Sequence, residues 1–246
     1  MNFVYLYDGS FDGFLTCVYE SYYGDKKPIK ITLKTSFIPN LIETVIDVET
    51  CIEKASKVFN AIETKIGRAA LKNIFTVYLS EAENFEMLLL NYIRLGFRLG
   101  FEIHNHLHND IVLQVVKLCR KVNNEAHLMC GFVRFKELQN SIYYSVIEPD
   151  HNILTLIAPH FSERLANEKW IIHDVKRESA VLYDTKEWIL TPFSKDAAKE
   201  FFSERDEFEV LWRTYYKTVV IKERTNPRLQ KRMMPARYWK YIIETL

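Results

Sequence analysis

Ile142-Tyr143-Tyr144-Ser145-Val146-Ile147, then residues 153–165, then Trp170-Ile171-Ile172-His173-Asp174 and Ala180-Val181-Leu182-Tyr183 decide the fold class. The first, third and fourth pieces are short and rich in β-branched and aromatic residues, which suits strands, whereas residues 153–165 repeat their apolar positions at helical spacing. Gly131-Phe132-Val133-Arg134-Phe135 reads as one more strand ahead of them. The pattern is strand-strand-helix-strand-strand, two hairpins joined by a helix, and predicts an α+β protein with a central ββαββ antiparallel module.

Upstream, Phe3-Val4-Tyr5-Leu6-Tyr7 reads as a buried N-terminal strand. Asp8-Gly9-Ser10 follows as a turn, with Ser10 placed to cap a helix over residues 11–22 that Gly24 ends. A short strand is expected at residues 29–33. Thr50-Cys51-Ile52-Glu53 has the spacing of a capping box before a helix that ends near Gly67. Residues 68–79 and 84–99 read as two further helices, and Asn109 or Asp110 caps another with Ile111, Val115, Leu118 and Val122 on its inner face. The organisation expected is a mostly helical region over 1–125, the ββαββ module over 126–192 and a basic aromatic helical segment over 193–246, in one compact unit.

The chain of 246 residues carries a formal charge of +1, but its C-terminal end does not share that balance. From Leu211 to Leu246 there are nine bases and two acids, Glu223 and Glu244. A helix over about 204–224, wound at about 100° per residue, puts Phe208, Leu211, Trp212, Tyr215 and Val219 on one face and Arg213, Lys217 and Arg224 on the other. Asn226-Pro227 stops it, and Pro235 is placed to open a short final helix. Cations beside flat rings suit phosphates and unstacked bases. The expected nucleic-acid-binding residues are Arg213, Tyr216, Lys217, Arg224, Arg228, Lys231, Arg232, Tyr238 and Trp239. An acidic patch on a protein partner would suit the same cations.

The middle of the chain offers histidines and carboxylates capable of acid–base work. If they converge on a pocket, its lining is expected from His127, Arg134, His160, Arg164, Asp174 and Arg177. His173 and Asp174 are adjacent on a strand and point to opposite faces. His104-Asn105-His106-Leu107-His108 would present three histidines on one side of an extended segment, but a polar connection between helices accounts for it more simply, and no metal site is expected. Tyr7-Asp8-Gly9-Ser10 has the form of an active-site turn, and equally of an ordinary turn and cap. The four cysteines, Cys17, Cys51, Cys119 and Cys130, are too widely spaced for a zinc pattern or a disulfide framework and suit reduced thiols in the cytoplasm. No cofactor motif, signal peptide or membrane span is read from the sequence.

Three stretches together carry a resemblance: Tyr7-Asp8-Gly9-Ser10-Phe11-Asp12-Gly13-Phe14-Leu15; the series Glu125-Ala126-His127, Gly131-Phe132-Val133-Arg134-Phe135, Glu148-Pro149-Asp150-His151, Ala158-Pro159-His160-Phe161, Arg164 and Trp170-Ile171-Ile172-His173-Asp174-Val175-Lys176-Arg177; and Asn226-Pro227-Arg228-Leu229-Gln230 with Met234-Pro235 and Arg237-Tyr238-Trp239-Lys240. The chain resembles the bacterial family labelled "probable DNA metabolism protein", a domain of unknown function, and departs from it at Cys130, where a basic residue is expected. The resemblance implies an accessory role in DNA metabolism or DNA repair beside a radical-SAM DNA modification or repair protein, encoded next to it. Some members add a uracil-DNA-glycosylase-like domain, which is not expected here. The resemblance assigns no catalytic residues. An enzyme acting on DNA or a nucleotide around His127 and His160, and a non-catalytic protein-interaction adaptor, are the other two functions open to this sequence.

Overall fold

The run Phe3-Val4-Tyr5-Leu6-Tyr7 is continuously apolar because β1 (Asn2–Tyr7) is the central strand of a parallel sheet, covered on both faces. The computed structural model describes residues 2–39, 42–138, 141–196 and 226–242. They divide into two compact units, residues 1–122 and 123–246.

In the first unit, β2 (Pro28–Leu33) and β3 (Glu43–Asp47) flank β1, both parallel to it. Between β1 and β2 runs α1 (Phe11–Tyr23), capped by Ser10, whose Oγ accepts from the Gly13 amide at 2.9 Å. Gly9, at φ +91°, makes the turn into it. The second expected cap is corrected. Thr50 lies outside α2 (Ile52–Lys65), whose N-cap is Cys51 with no side-chain bond; the Thr50 hydroxyl donates instead to Asp8 Oδ2 at 2.8 Å. Helices α3 (Arg68–Tyr78) and α4 (Phe85–Leu99) complete the layer. The core gathers Phe14, Leu15 and Val18 of α1 with Ile62, Ile74, Leu89, Leu90 and Ile93.

Gly96 of α4 is buried against Ile66. A Cβ there would stand 2.6 and 2.9 Å from Ile66 Cδ1 and Cγ2. Gly96→Ala gains about 1 kcal/mol of helix propensity but loses about 1–3 kcal/mol to overpacking. A net loss of about 1 kcal/mol is expected in urea unfolding; a stabilised variant would show that Ile66 yields.

Helix α5 (Asp110–Phe132) is capped by Asn109, whose Oδ1 accepts from the Ile111 amide at 3.0 Å. It overruns the strand expected at residues 131–135. Val122, Ala126, Met129 and Val133 are buried at helical spacing, and Val133 N–H still bonds Met129 O at 3.0 Å. The helical periodicity outweighs the β preference of Phe132 and Val133.

The sheet of the second unit runs β4 (Lys136–Leu138), β5 (Ile142–Ile147), β6 (Lys169–Asp174), β7 (Ser179–Tyr183), β8 (Trp188–Pro192) in spatial order. The expected all-antiparallel module is also corrected. β5 and β6 are parallel neighbours joined through α6 (Leu154–Arg164), while the other pairs are antiparallel. The α+β class holds. Trp170, fully buried, stacks on Tyr183 at 5.2 Å between ring centres and takes the edge of Phe161 at 6.2 Å. No helix among the described residues is long and apolar enough to cross a membrane.

Candidate functional site

The parallel pair β5–β6 creates a feature that hairpins would not: two loops leave its carboxyl ends side by side, the location where open sheets with parallel strands form crevices. One is the connection from β5 to α6, carrying Glu148, Pro149, Asp150 and His151. The other is the turn after β6, carrying Val175, Lys176 and Arg177.

Glu125, on the inner face of α5 and only 6 % exposed, reaches the first loop. Its Oε1 accepts from the Asp150 amide at 2.7 Å and from the Tyr238 hydroxyl. Its Oε2 accepts from the His151 amide at 2.9 Å and from His151 Nδ1. Burial alone would push this carboxyl up, but the hydrogen bonds from His151, Tyr238 and the two amides outweigh it and hold the pKa down at about 2. Tyr238 is pushed the other way, by burial first and then by the carboxylate it donates to. Arg237 Nη2 donates to the Tyr238 hydroxyl at 3.0 Å and pairs with Asp150 Oδ2 at 2.8 Å, with its guanidinium 4.6 Å above the Tyr238 ring.

The second loop clamps the same backbone from the other side. Asp174, fully buried, accepts from the amides of Lys176 and Arg177 at 3.0 and 3.3 Å and from Arg177 Nη1 at 2.8 Å. Arg177 also donates to the Pro149 and Asp150 carbonyls at 3.2 and 2.8 Å, and Lys176 Nζ to the Asp150 carbonyl at 3.1 Å. Burial raises the Asp174 pKa while Arg177 opposes the rise. His173, also buried, takes a different partner, the Tyr144 hydroxyl at 2.8 Å from Nδ1, and burial lowers its pKa.

Of the six residues expected to line a pocket, only Asp174 and Arg177 are brought together. His127 is exposed on α5, His160 and Arg164 are exposed on α6, and among the described residues none of these three hydrogen-bonds another. Exposure on helix surfaces, not convergence, is what their positions give them. Arg134 turns back on the end of α5, donating to the Gly131 carbonyl at 2.7 Å, as a cation suits a helix C-terminus. His104 lies in a 3-10 turn (Gly100–Asn105), so the extended three-histidine face does not form. The Asp8-Gly9-Ser10 turn is spent on capping. Asp8 Oδ1 accepts from Ser10 N and Oγ at 2.9 and 2.7 Å.

The basic segment is described from Asn226 onward; Trp212, Arg213, Tyr215, Tyr216, Lys217 and Arg224 lie outside the described residues. A helix (Pro227–Met233) carries Arg228, Lys231 and Arg232, all three exposed. Spaced i, i+3 and i+4, they share one face. Tyr238 is corrected from stacking group to anchor. It is 3 % exposed and its ring packs 6.0 Å from Phe132, so neither face is open to a base. Trp239 is half-buried, with its indole N–H on the Met234 carbonyl at 2.9 Å.

The family model of a domain of unknown function, DUF4130, matches residues 83–244. The chain belongs to that family. The match takes in α4, α5 and every residue of the Glu125 and Asp174 clusters, whereas Tyr7–Leu15 falls outside it. Comparison with curated proteins gives no match. Asp150 and His151 lie 25 and 26 positions from Glu125 in the sequence, and no spacing pattern joins them. The signal lay in α5, where Glu125 sits at i+3 from Val122 on the apolar stripe, a position at which a carboxylate must find donors.

Proposed function

We propose that the chain is an accessory protein of DNA metabolism or repair that binds nucleic acid through its basic C-terminal segment and works beside a radical-SAM DNA repair protein. The observation that carries this reading is the face formed by Arg228, Lys231 and Arg232. All three are exposed, and no acidic residue occurs between Asn226 and Ile242. The segment is held in place by the Tyr238–Glu125 bond, the Arg237–Asp150 pair and the buried Ile242, so less of its ordering cost falls on binding. Clustered, preordered cations suit phosphates, whose neutralisation releases counterions. The DNA-metabolism setting and the radical-SAM partner come from the family resemblance.

Fluorescence-anisotropy titration of single- and double-stranded DNA over a range of salt tests it. The wild-type chain should bind with a steep salt dependence. Arg228→Ala, Lys231→Ala and Arg232→Ala combined should reduce the slope of log K against log salt by about 2–3, since each phosphate contact contributes about 0.7–0.9. All three residues are exposed, so stability should not change. Absence of binding at low salt would sink the nucleic-acid reading and leave co-purification with the radical-SAM protein as the test of the adaptor role.

A further inference from the structure

A groove of about 520 Å³ on the first unit, between α1, α2 and α4, is lined by Tyr19, Tyr22, Tyr23 and Phe97 together with Lys57 and Lys65. Tyr19 and Phe97 pack against the core, whereas Tyr22 and Tyr23 stand largely outside it. Tyr23 is 75 % exposed and Tyr22 41 %, although a few residues away Phe14, Leu15 and Val18 of the same helix are fully or almost fully buried. The rings are ordered against one another, Tyr19 and Tyr23 at 4.5 Å between centres and Tyr22 edge-on to Phe97 at 5.9 Å. Cations stand beside two of them. Lys65 Nζ is 6.0 Å from the Phe97 ring centre and Lys54 Nζ 5.7 Å from the Tyr19 ring centre. Among the described residues no acid lines the groove, and Glu20, next to Tyr19, is neutralised by Lys54 at 2.7 Å.

Exposed rings interleaved with cations, in a groove open to solvent, are the two components that hold an unpaired strand: faces for bases and charges for phosphates. A base pair keeps its faces stacked inside the duplex, so such a surface discriminates for single strands. A proline-rich peptide also seats on aromatic grooves, but it brings no negative charge to Lys57 and Lys65. We propose that this groove binds single-stranded nucleic acid, the exposed faces of Tyr23 and Tyr22 stacking on bases while Lys57 and Lys65 meet the phosphates on either side. The site deepens the nucleic-acid reading of the preceding section but uses none of its residues.

The test compares the full-length wild-type chain with a groove variant (Tyr23→Ala with Lys57→Ala) and with the triple Ala variant at positions 228, 231 and 232, titrating labelled oligothymidylate and a duplex of equal length. Both groove positions are exposed, so thermal unfolding of the groove variant should match wild type. The expected result is a tenfold or greater weakening for oligothymidylate with little change for the duplex. An oligonucleotide bearing 5-iododeoxyuridine should photo-crosslink to the peptide containing Tyr22 and Tyr23. If the groove variant binds oligothymidylate as tightly as wild type, or the crosslink maps elsewhere, the groove proposal falls. Loss confined to the triple variant would overturn the groove alone, and loss confined to the groove variant would overturn the C-terminal face alone.

Discussion

Glu125→Ala is expected to destabilise the second unit by about 3–5 kcal/mol, the range for removing one partner of a buried charged network. The carboxylate accepts four hydrogen bonds, two from backbone amides, one from His151 and one from Tyr238. Glu125→Gln keeps the shape but points an N–H₂ at donors, and about half that loss is expected. A second signature is in the pH dependence. The carboxyl's pKa is held at about 2, below its ordinary 4.5. A depressed folded-state pKa contributes stability that is fully present above the unfolded value and is lost as pH falls through the folded one. Between about pH 4.5 and about pH 2 the wild-type unit should therefore lose about 3 kcal/mol that Glu125→Gln does not have to lose. Urea unfolding of both proteins across that window measures the difference. Parallel curves would show that Glu125 is not the titrating group. Because Tyr238 anchors the basic segment, either substitution should also weaken the DNA binding proposed above without removing a single exposed cation.

What could be read from the sequence follows from where each element sits. β1 and α1 were legible because a doubly covered strand and a Ser10-capped helix write continuous apolar and 3.6-residue patterns into the chain. β3 was not: its sequence Glu43-Thr44-Val45-Ile46-Asp47 sits at a sheet edge, with three of five residues exposed, and is too polar to stand out. β8 is also an edge strand; its Trp188-Ile189-Leu190 run is apolar, but Ile189 and Leu190 are about half exposed, so no in-and-out alternation marks it. The direction of β6 relative to β5 is a tertiary fact, since a helix between two strands permits either direction when α6 is only 11 residues long. The clusters at the loops depend on that direction, and so the six expected pocket residues contained Asp174 and Arg177 but not Glu125, Asp150 or His151. The exposed cations at 228, 231 and 232 were legible because charge needs no partner to be seen. Tyr238 was not, because its anchor lies 113 positions away in sequence, on α5.

Arg177→Ala is expected to cost about 3–5 kcal/mol near neutral pH, because it strands the Asp174 carboxylate, fully buried, without its cation. Here the pH dependence runs opposite to that of Glu125. Burial already raises the Asp174 pKa, and Arg177 opposes it. Removing Arg177 lifts the folded-state value further above the unfolded one. An acid in that position is destabilising while the unfolded chain would ionise it, and the penalty fades as pH falls below the unfolded value, near 4. The deficit of Arg177→Ala relative to wild type should thus shrink on acidification, as denaturant midpoints at a series of pH values would show. A deficit independent of pH would place the importance of Arg177 in its bonds to the Pro149 and Asp150 carbonyls instead. Arg177→Lys separates the two, because an ammonium can neutralise Asp174 but cannot fork between carboxylate and carbonyls. The residues at 150 and 151 are held by Glu125 through their amides, and the carbonyls of 149 and 150 by Arg177. Two clamps on one loop should couple, so the double variant is expected to lose less than the sum of the single losses. Asp150 also pairs with Arg237, so releasing the loop from the Arg177 side should loosen the basic segment and weaken the proposed DNA binding in a protein that keeps Glu125 and Tyr238 intact.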